Sequence, residues 1–176
     1  MSRTNRSIIS PYKIPLGDEF QAVYDRADGI MRDILEIMTA MYPVKLRVSL
    51  GIGNLETELN PSQTLGMDGS PFHTARNGID SMKKIDYSHI QIFTEAEPQE
   101  LCLINRSLDL TYSAMKGWKK NTFTVLLDRL KGESLQDCAG NLNISVRGVY
   151  KLASTNLVHQ HYDLLMCLEQ EINKLI

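Results

Sequence analysis

Apolar positions recur at every second residue near the start of the chain, and their spacing then lengthens to three and four residues. Alternation over 12–16, a turn signal at 17–18 and a second apolar run over 20–24 together predict a β-hairpin. Apolar residues over 27–41 have the spacing of a helix with one buried face. Strict alternation over 46–52 predicts a half-buried strand, so this part of the chain combines strands with helices.

The pattern continues with a long polar loop and then becomes helical. Residues 54–70 form the loop, and loops of this length inside compact domains are more often functional than idle. A helix over 72–82 and a strand over 89–94 follow. From 101 onward the apolar spacing is helical throughout, so we expect the last strand to end before Glu97-Pro98.

Residues 135–154 have the residue types and spacing of a helix-turn-helix. Ala139 is the small residue required where the two helices touch, and Asn143 tolerates the left-handed backbone of the turn. Ser145 is a good N-cap for the second helix. A plain helical hairpin in a packing module is the alternative interpretation. If the motif binds DNA, the residues predicted to contact it are Ser145, Arg147, Tyr150 and Lys151.

The balance of charge limits how strongly this region can bind DNA. The whole chain has 19 basic and 21 acidic residues, a net charge of −2, and therefore no global attraction to nucleic acid or to an anionic membrane. Region 121–176 has five basic and six acidic residues. Because DNA affinity depends largely on phosphate neutralisation, this region alone would bind weakly. Lys116, Lys119 and Lys120 add a small positive patch just before it.

The C-terminal segment carries an apolar seam of heptad-like spacing over 158–175. About two and a half heptads are too short to form a stable coiled coil alone. The seam therefore predicts either a homodimer, which paired DNA half-sites require, or packing on the 101–118 helix. The predicted regions are an α+β domain over 1–96, a connecting helix over 97–120, and a helix-turn-helix with a C-terminal helix over 121–176.

Cysteine usage and hydropathy indicate the compartment. The three cysteines are an odd number at no metal-like spacing, which is typical of reduced thiols in the cytoplasm. The N-terminus has no apolar core of a signal peptide, and no apolar run approaches the roughly 20 residues that a membrane helix needs. We therefore expect a cytoplasmic protein without a membrane partner.

The order of these features resembles the latter part of the catalytic fold of class III nucleotide cyclases and GGDEF proteins, and more closely the SatD family of bacterial proteins. The likeness covers about 12–160. It is carried by LGDEFQAVY (16–24), MYPVKLRVSLGIG (41–53), ELNP (58–61) and GMDGSPFHTARNGID (66–80), followed by the helix-turn-helix. The resemblance implies an α+β fold: a partial ferredoxin-like or cyclase-like antiparallel sheet with helices, then an all-α helix-turn-helix region.

The resemblance also implies a site for a nucleotide and a metal ion at the tip of the hairpin. Asp18 matches a metal-binding carboxylate, and Mg²⁺ is the cofactor that this match suggests. Asp68 and Arg76 would act on the phosphates of the nucleotide. Gly51 and Gly53 would allow the backbone to approach the ligand closely. For the neighbouring Glu19, the alternative to a role in the site is a solvated side chain at the hairpin tip.

Two departures from the cyclase pattern bear on activity. Cyclase chemistry places two metal ions between an aspartate on a first strand and one in the hairpin. Only eleven residues precede Tyr12 and they carry no acidic strand, while Phe72 stands where the cyclase helix has an asparagine. We therefore assign no catalytic residue and expect a DNA-binding regulator or adaptor with a catalytically incomplete domain. The alternative is a metal-dependent nucleotide-binding or nucleotide-processing enzyme completed by a partner chain or an N-terminal segment.

Overall fold

The computed structural model describes residues 7–87 and 89–176, which form four strands and seven helices. The mixed α+β class is confirmed. Residues 1–6, on which the absence of a signal peptide partly depends, lie outside the described residues. In chain order the elements are β1 (Ile8–Leu16), β2 (Glu19–Tyr24), α1 (Ile30–Met41), β3 (Val48–Ile52), α2 (Ser70–Met82), β4 (Ile90–Thr94), α3 (Gln99–Met115), α4 (Lys120–Leu130), α5 (Leu135–Leu142), α6 (Val146–Thr155) and α7 (Val158–Ile172).

The described strands form two separate sheets of two strands each. β1 and β2 are the predicted antiparallel hairpin, with Gly17 at φ 57° in its turn. β3 and β4 do not follow the expected antiparallel arrangement and are parallel instead, with Val48 opposite Ile90 and Ile52 opposite Thr94. The reason is the connection, because α2 carries the chain back to the starting end of β3 before β4 begins.

The outer edge of β4 is covered by a side chain of α3. The N–H of Ile92 donates to Oδ1 of Asn105 at 2.8 Å, and Nδ2 of Asn105 donates to the Ile92 carbonyl at 2.9 Å. Nε2 of Gln91 donates to both carboxylate oxygens of Asp109, at 3.1 and 3.0 Å. α3 therefore satisfies polar groups at this edge that another strand would otherwise have to satisfy.

One hydrophobic core joins α1 to the C-terminal helices. α1 packs against α4 and α7, and α7 also contacts α3 and α6. The apolar seam of α7 faces this core within the chain, which is the packing alternative of the two predicted for it. Its buried members are Val158, His161, Leu165, Leu168 and Ile172. Among the described residues, no helix is both long and apolar enough to cross a bilayer.

Candidate functional site

The start of α5 is fixed by a reciprocal pair of hydrogen bonds. Oγ of Ser134 accepts from the N–H of Asp137 at 3.1 Å, and Oδ2 of Asp137 accepts from the N–H of Ser134 at 3.0 Å. The hydrogen bonds from Ser134 hold the pKa of the Asp137 carboxyl below its usual value. This capping box satisfies two backbone donors that a helix start otherwise leaves unpaired.

The turn between α5 and α6 has the geometry that the sequence predicts. Asn143 adopts the left-handed conformation, with φ 52° and ψ 44°. The N–H of Ile144 donates back to the Ala139 carbonyl at 3.1 Å. Oγ of Ser145 accepts from the N–H of Gly148 at 3.1 Å, so Ser145 is the N-cap of α6 as predicted.

α6 is anchored by its apolar face and leaves its polar face outside. Val149 and Ala153 are buried, and α6 packs against α4, α5 and α7 through this side. Ala139 of α5 is also buried. Because α5 and α6 are held from several sides, the exposed face of α6 is presented by a fixed scaffold.

The exposed face of α6 is polar and positively charged. Arg147, Tyr150 and Lys151 are exposed, as is Ser145 at the helix start. No aspartate or glutamate occurs between residues 138 and 162, although region 121–176 as a whole is slightly acidic. The cations of α6 therefore lie in a stretch without a neighbouring carboxylate in sequence.

A residue of α5 extends this face. Nε2 of Gln136 donates to the Tyr150 hydroxyl at 3.3 Å, so an amide and a phenol lie side by side across the two helices. Sequence reasoning missed Gln136, because its neighbour is 14 residues away along the chain. The acid-free stretch, in contrast, could have been found by counting charges in a shorter window. Lys116, Lys119 and Lys120 are exposed at the junction of α3 and α4.

The second candidate site is the hairpin tip, where an ion pair joins β2 to α2. Nη1 of Arg76 lies 2.7 Å from each carboxylate oxygen of Glu19. Glu19 is thus paired, and both side chains of the pair remain exposed to solvent. Asp18 beside it is exposed. Arg76, the predicted phosphate residue, is already held by a carboxylate of its own chain.

Asp68 lies at the start of α2 and makes local contacts. Its Oδ1 accepts from the N–H of Gly69 at 2.8 Å and lies 3.1 Å from Nε2 of His73. Both side chains of this pair are exposed. Asp68 therefore orders the entry into α2.

Gly51 and Gly53 are needed for packing between β3 and α2. A Cβ at Gly51 would collide with the Pro71 carbonyl oxygen, and one at Gly53 would collide with Oγ of Ser70. Gly51 is approached by the backbone of the first turn of α2, whereas Gly53 is approached by the side chains of Ser70 and Pro71. A close approach to a ligand is not required to explain either residue.

Four of the five predicted nucleotide residues line one cavity of about 1010 Å³ between β2 and β3. They are Asp18, Gly51, Gly53 and Arg76, whereas Asp68 is outside the lining. Within 7–87 and 89–176, no three histidine, cysteine, aspartate or glutamate side chains are grouped as a metal site would require. With Glu19 engaged by Arg76, the residues present do not fit the Mg²⁺ ion that the resemblance suggests.

Taken together, the fold and the two sites define a mixed α+β protein whose helical region presents a positively charged helix on a fixed scaffold. The model of the SatD family matches residues 2–147. The chain therefore belongs to the SatD family. A search of curated proteins and a search of solved structures found no match.

Proposed function

We propose that this protein is a cytoplasmic DNA-binding regulator or adaptor of the SatD type. In this proposal α5, the Asn143 turn and α6 form a helix-turn-helix, and α6 is the helix that enters the major groove. The observation that carries the proposal is the exposed face of α6, on which Arg147, Tyr150 and Lys151 lie together without a nearby carboxylate in sequence.

The spacing of these side chains suits recognition of a groove. Residues three and four apart lie on one side of a helix, so Arg147, Tyr150 and Lys151 share a face with the N-cap Ser145 beside it. Recognition helices contact base edges mainly through their N-terminal residues. The Arg147 guanidinium suits the two acceptors of guanine, and the Lys151 ammonium suits a phosphate.

The small number of cations sets the expected strength of binding. Affinity for DNA rises with each phosphate that a cation neutralises, and α6 supplies two such cations. A single module of this kind binds tightly only when a second half-site is engaged. We therefore propose a homodimer on DNA, held together by surfaces other than the α7 seam, which is used within the chain.

The α+β region is proposed to regulate rather than to catalyse. A two-metal nucleotide enzyme needs several metal ligands gathered around Asp18, and within residues 7–87 and 89–176 no three histidine, cysteine, aspartate or glutamate side chains are grouped in this way. Four predicted nucleotide residues do share a cavity, so binding of a nucleotide as a regulatory ligand remains part of the proposal.

The experiment is selection of bound sequences from a random double-stranded DNA library by the full-length chain. We expect enrichment of a short motif by the wild type and by Lys84→Ala, which removes an exposed cation from the other region. Arg147→Ala should weaken binding to that motif by about 5- to 150-fold, the range for one bidentate base contact of ~1–3 kcal/mol. Enrichment of the same motif by an Arg147→Ala, Lys151→Ala double variant would contradict the proposal.

A further inference from the structure

His89 immediately precedes β4, and basic residues of another segment lie beside it. Nδ1 of its ring lies 3.3 Å from the carbonyl oxygen of Leu46, whose two neighbours along the chain are Lys45 and Arg47. The N–H of Val48 donates to the His89 carbonyl at 2.7 Å, so the start of β3 is also held against His89 by its backbone. These contacts place Lys45 and Arg47 close to the His89 ring.

α3 brings a third cation to the same place. The centroid of the Tyr112 ring lies 4.4 Å from that of the His89 ring. Lys116 is the C-cap of α3, four residues after Tyr112, and side chains at this spacing lie on one side of a helix. The pKa of His89 is consistent with this arrangement, because it is lowered first by burial and also by the positive charges of Arg47, Lys45 and Lys116.

An aromatic contact brings the start of α4 to this surface. The ring centroids of Tyr42 and Phe123 lie 6.1 Å apart, so the segment that leads into Lys45 lies against α4. Lys119 is the N-cap of α4 and Lys120 is its first residue, within about one turn of Phe123. The basic surface thus consists of five exposed cations: Lys45, Arg47, Lys116, Lys119 and Lys120.

The segments that build the basic surface contain no acidic residue. Residues 37–55, 87–94 and 110–127 have no aspartate or glutamate, although the whole chain has 21. Asp86 is the nearest carboxylate to His89 along the chain. Within residues 7–87 and 89–176, none of the five cations forms an ion pair with Asp86 or with any other carboxylate. Separation of charge of this kind is typical of a surface that meets an anionic partner.

We propose that the basic surface binds the phosphate backbone of the DNA duplex whose bases α6 contacts. The identity of the ligand rests on the proposed function. Packing supports it, because the ring of Trp118, next to Lys119, lies 4.8 Å from that of His161 in α7, and α7 packs against α6. The basic surface and α6 are therefore parts of one packed scaffold. This connection favours DNA over an anionic membrane, which has the same charge.

A polymer of phosphates suits the basic surface better than a single nucleotide. Small ligands are held in concave sites by a few convergent polar groups. The five cations are instead exposed and spread over the segment before β3, the end of α3 and the start of α4. A duplex carries one negative charge per ~1.7 Å of its axis, so its backbone can meet several separated cations at once.

The test is fluorescence anisotropy of the full chain on the selected motif and on an unrelated duplex of equal length, over a range of salt concentrations. A triple variant with Lys45→Gln, Arg47→Gln and Lys116→Gln should bind both duplexes about tenfold more weakly or worse, with a salt slope shallower by about two to three. The preference for the motif should be unchanged, because phosphate contacts carry no sequence information.

The control is a second triple variant of the same net charge. Lys13→Gln, Lys83→Gln and Lys84→Gln remove three exposed cations from β1 and from the end of α2. This control should keep the salt slope of the wild type. All six substituted side chains are exposed, and circular dichroism establishes that both variants are folded.

A second measurement is local to the basic surface and needs no variant. Titration of the His89 ring by NMR gives its pKa in the free wild type and in its complex with the unrelated duplex. Because neighbouring cations lower this pKa, phosphates bound among them should raise it.

Equal affinities and salt slopes of the two triple variants would overturn the proposal, as would an unchanged pKa of His89 in the complex. Weaker binding by the first triple variant, with motif preference intact in the Arg147→Ala, Lys151→Ala double variant, would support the basic surface and contradict reading by α6. Loss of motif preference in the double variant, with equal triple variants, would do the reverse. Binding to phosphatidylglycerol vesicles that depends on the basic surface, without such dependence for DNA, would assign the surface to a membrane and overturn the proposal.

Discussion

The carboxylate of Glu169 in α7 accepts a hydrogen bond of 2.9 Å from the backbone N–H of Met31 in the first turn of α1. Its other oxygen accepts from the N–H of Gly29 at 3.1 Å. Gly29 is the N-cap of α1 and has no side chain with which to cap the helix. Asn173 adds a third bond, because its Oδ1 accepts from the N–H of Ala27 at 2.7 Å. The end of the chain therefore caps a helix that begins about 140 residues earlier.

Glu169→Ala should destabilise the whole fold. Glu169 is buried, so its removal leaves the N–H groups of Gly29 and Met31 without an acceptor, at a cost of about 1–3 kcal/mol in the free energy of unfolding. Urea denaturation measures the change. Glu171→Ala, which loses only a surface pair with Lys174, should stay within about 0.5 kcal/mol of the wild type. Equal effects of the two changes would refute the capping role.

The stability of the protein should depend on pH through the same carboxyl. Burial raises the pKa of Glu169 above its usual value, and the hydrogen bonds from Gly29 and Met31 only partly oppose this. The folded state therefore holds the proton more tightly than the unfolded state, and the contribution of Glu169 to stability falls as pH rises from about 4.3 through the raised folded pKa.

The free energy of unfolding of the wild type is compared with that of Glu169→Gln across this pH range. The difference isolates the contribution of Glu169, because the other carboxyl groups titrate in both proteins. The wild type should lose stability relative to the variant as pH rises through the window, and the difference should be constant at higher pH. A difference that grows with pH would show that the folded pKa is lowered.

Gly51→Ala tests whether the glycine of β3 serves packing against α2. The added methyl group would meet the Pro71 carbonyl and the N–H of Ala75, so backbone must move, at a cost of about 1–3 kcal/mol. Gly140→Ala is the control, because nothing lies within 4 Å of its added methyl group. That change within α5 should be neutral or stabilising by up to about 1 kcal/mol. A thermal melt of Gly51→Ala identical to the wild type would leave the glycine without a packing explanation.

Local chemistry explains why the α5–α6 region was predictable. The left-handed turn at Asn143 and the N-cap at Ser145 depend on residues within one or two turns of a helix, so their signals are contained in a short stretch. The hairpin at Gly17 is local in the same sense. The turns of these elements follow from local residues, whereas β1 begins at Ile8, four residues before the predicted alternation.

The second site could not be predicted in this way, because it depends on long-range placement. Glu19 and Arg76 are 57 residues apart, and nothing in either segment indicates that one neutralises the other. Two further features depend on how separate segments meet: the parallel pairing of β3 with β4, and the cavity between β2 and β3. The resemblance predicts that Asp18 and Arg76 bind a ligand at the hairpin tip. The ion pair with Glu19 means that Arg76 already has an anionic partner in its own chain.

Assays of cyclase activity and of Mg²⁺ binding together test whether Asp18 holds a catalytic metal ion. The purified chain should show no nucleotide or diguanylate cyclase turnover with Mg²⁺ or Mn²⁺, because the described residues hold no group of three potential metal ligands from which to build a two-metal site. Titration calorimetry with Mg²⁺ should give the same result for the wild type and Asp18→Asn. Magnesium-dependent turnover that disappears in Asp18→Ala would revive the enzyme alternative.

The most direct test of the central claim is the salt dependence of DNA binding by the full chain, measured by fluorescence anisotropy on the selected motif. The wild type should bind with an affinity that falls steeply with salt. The Arg147→Ala, Lys151→Ala double variant should bind about tenfold more weakly or worse, with a salt slope shallower by roughly one to two. Lys84→Ala should match the wild type in both quantities. A double variant with unchanged affinity and slope would contradict the assignment of α6 as the DNA-reading helix.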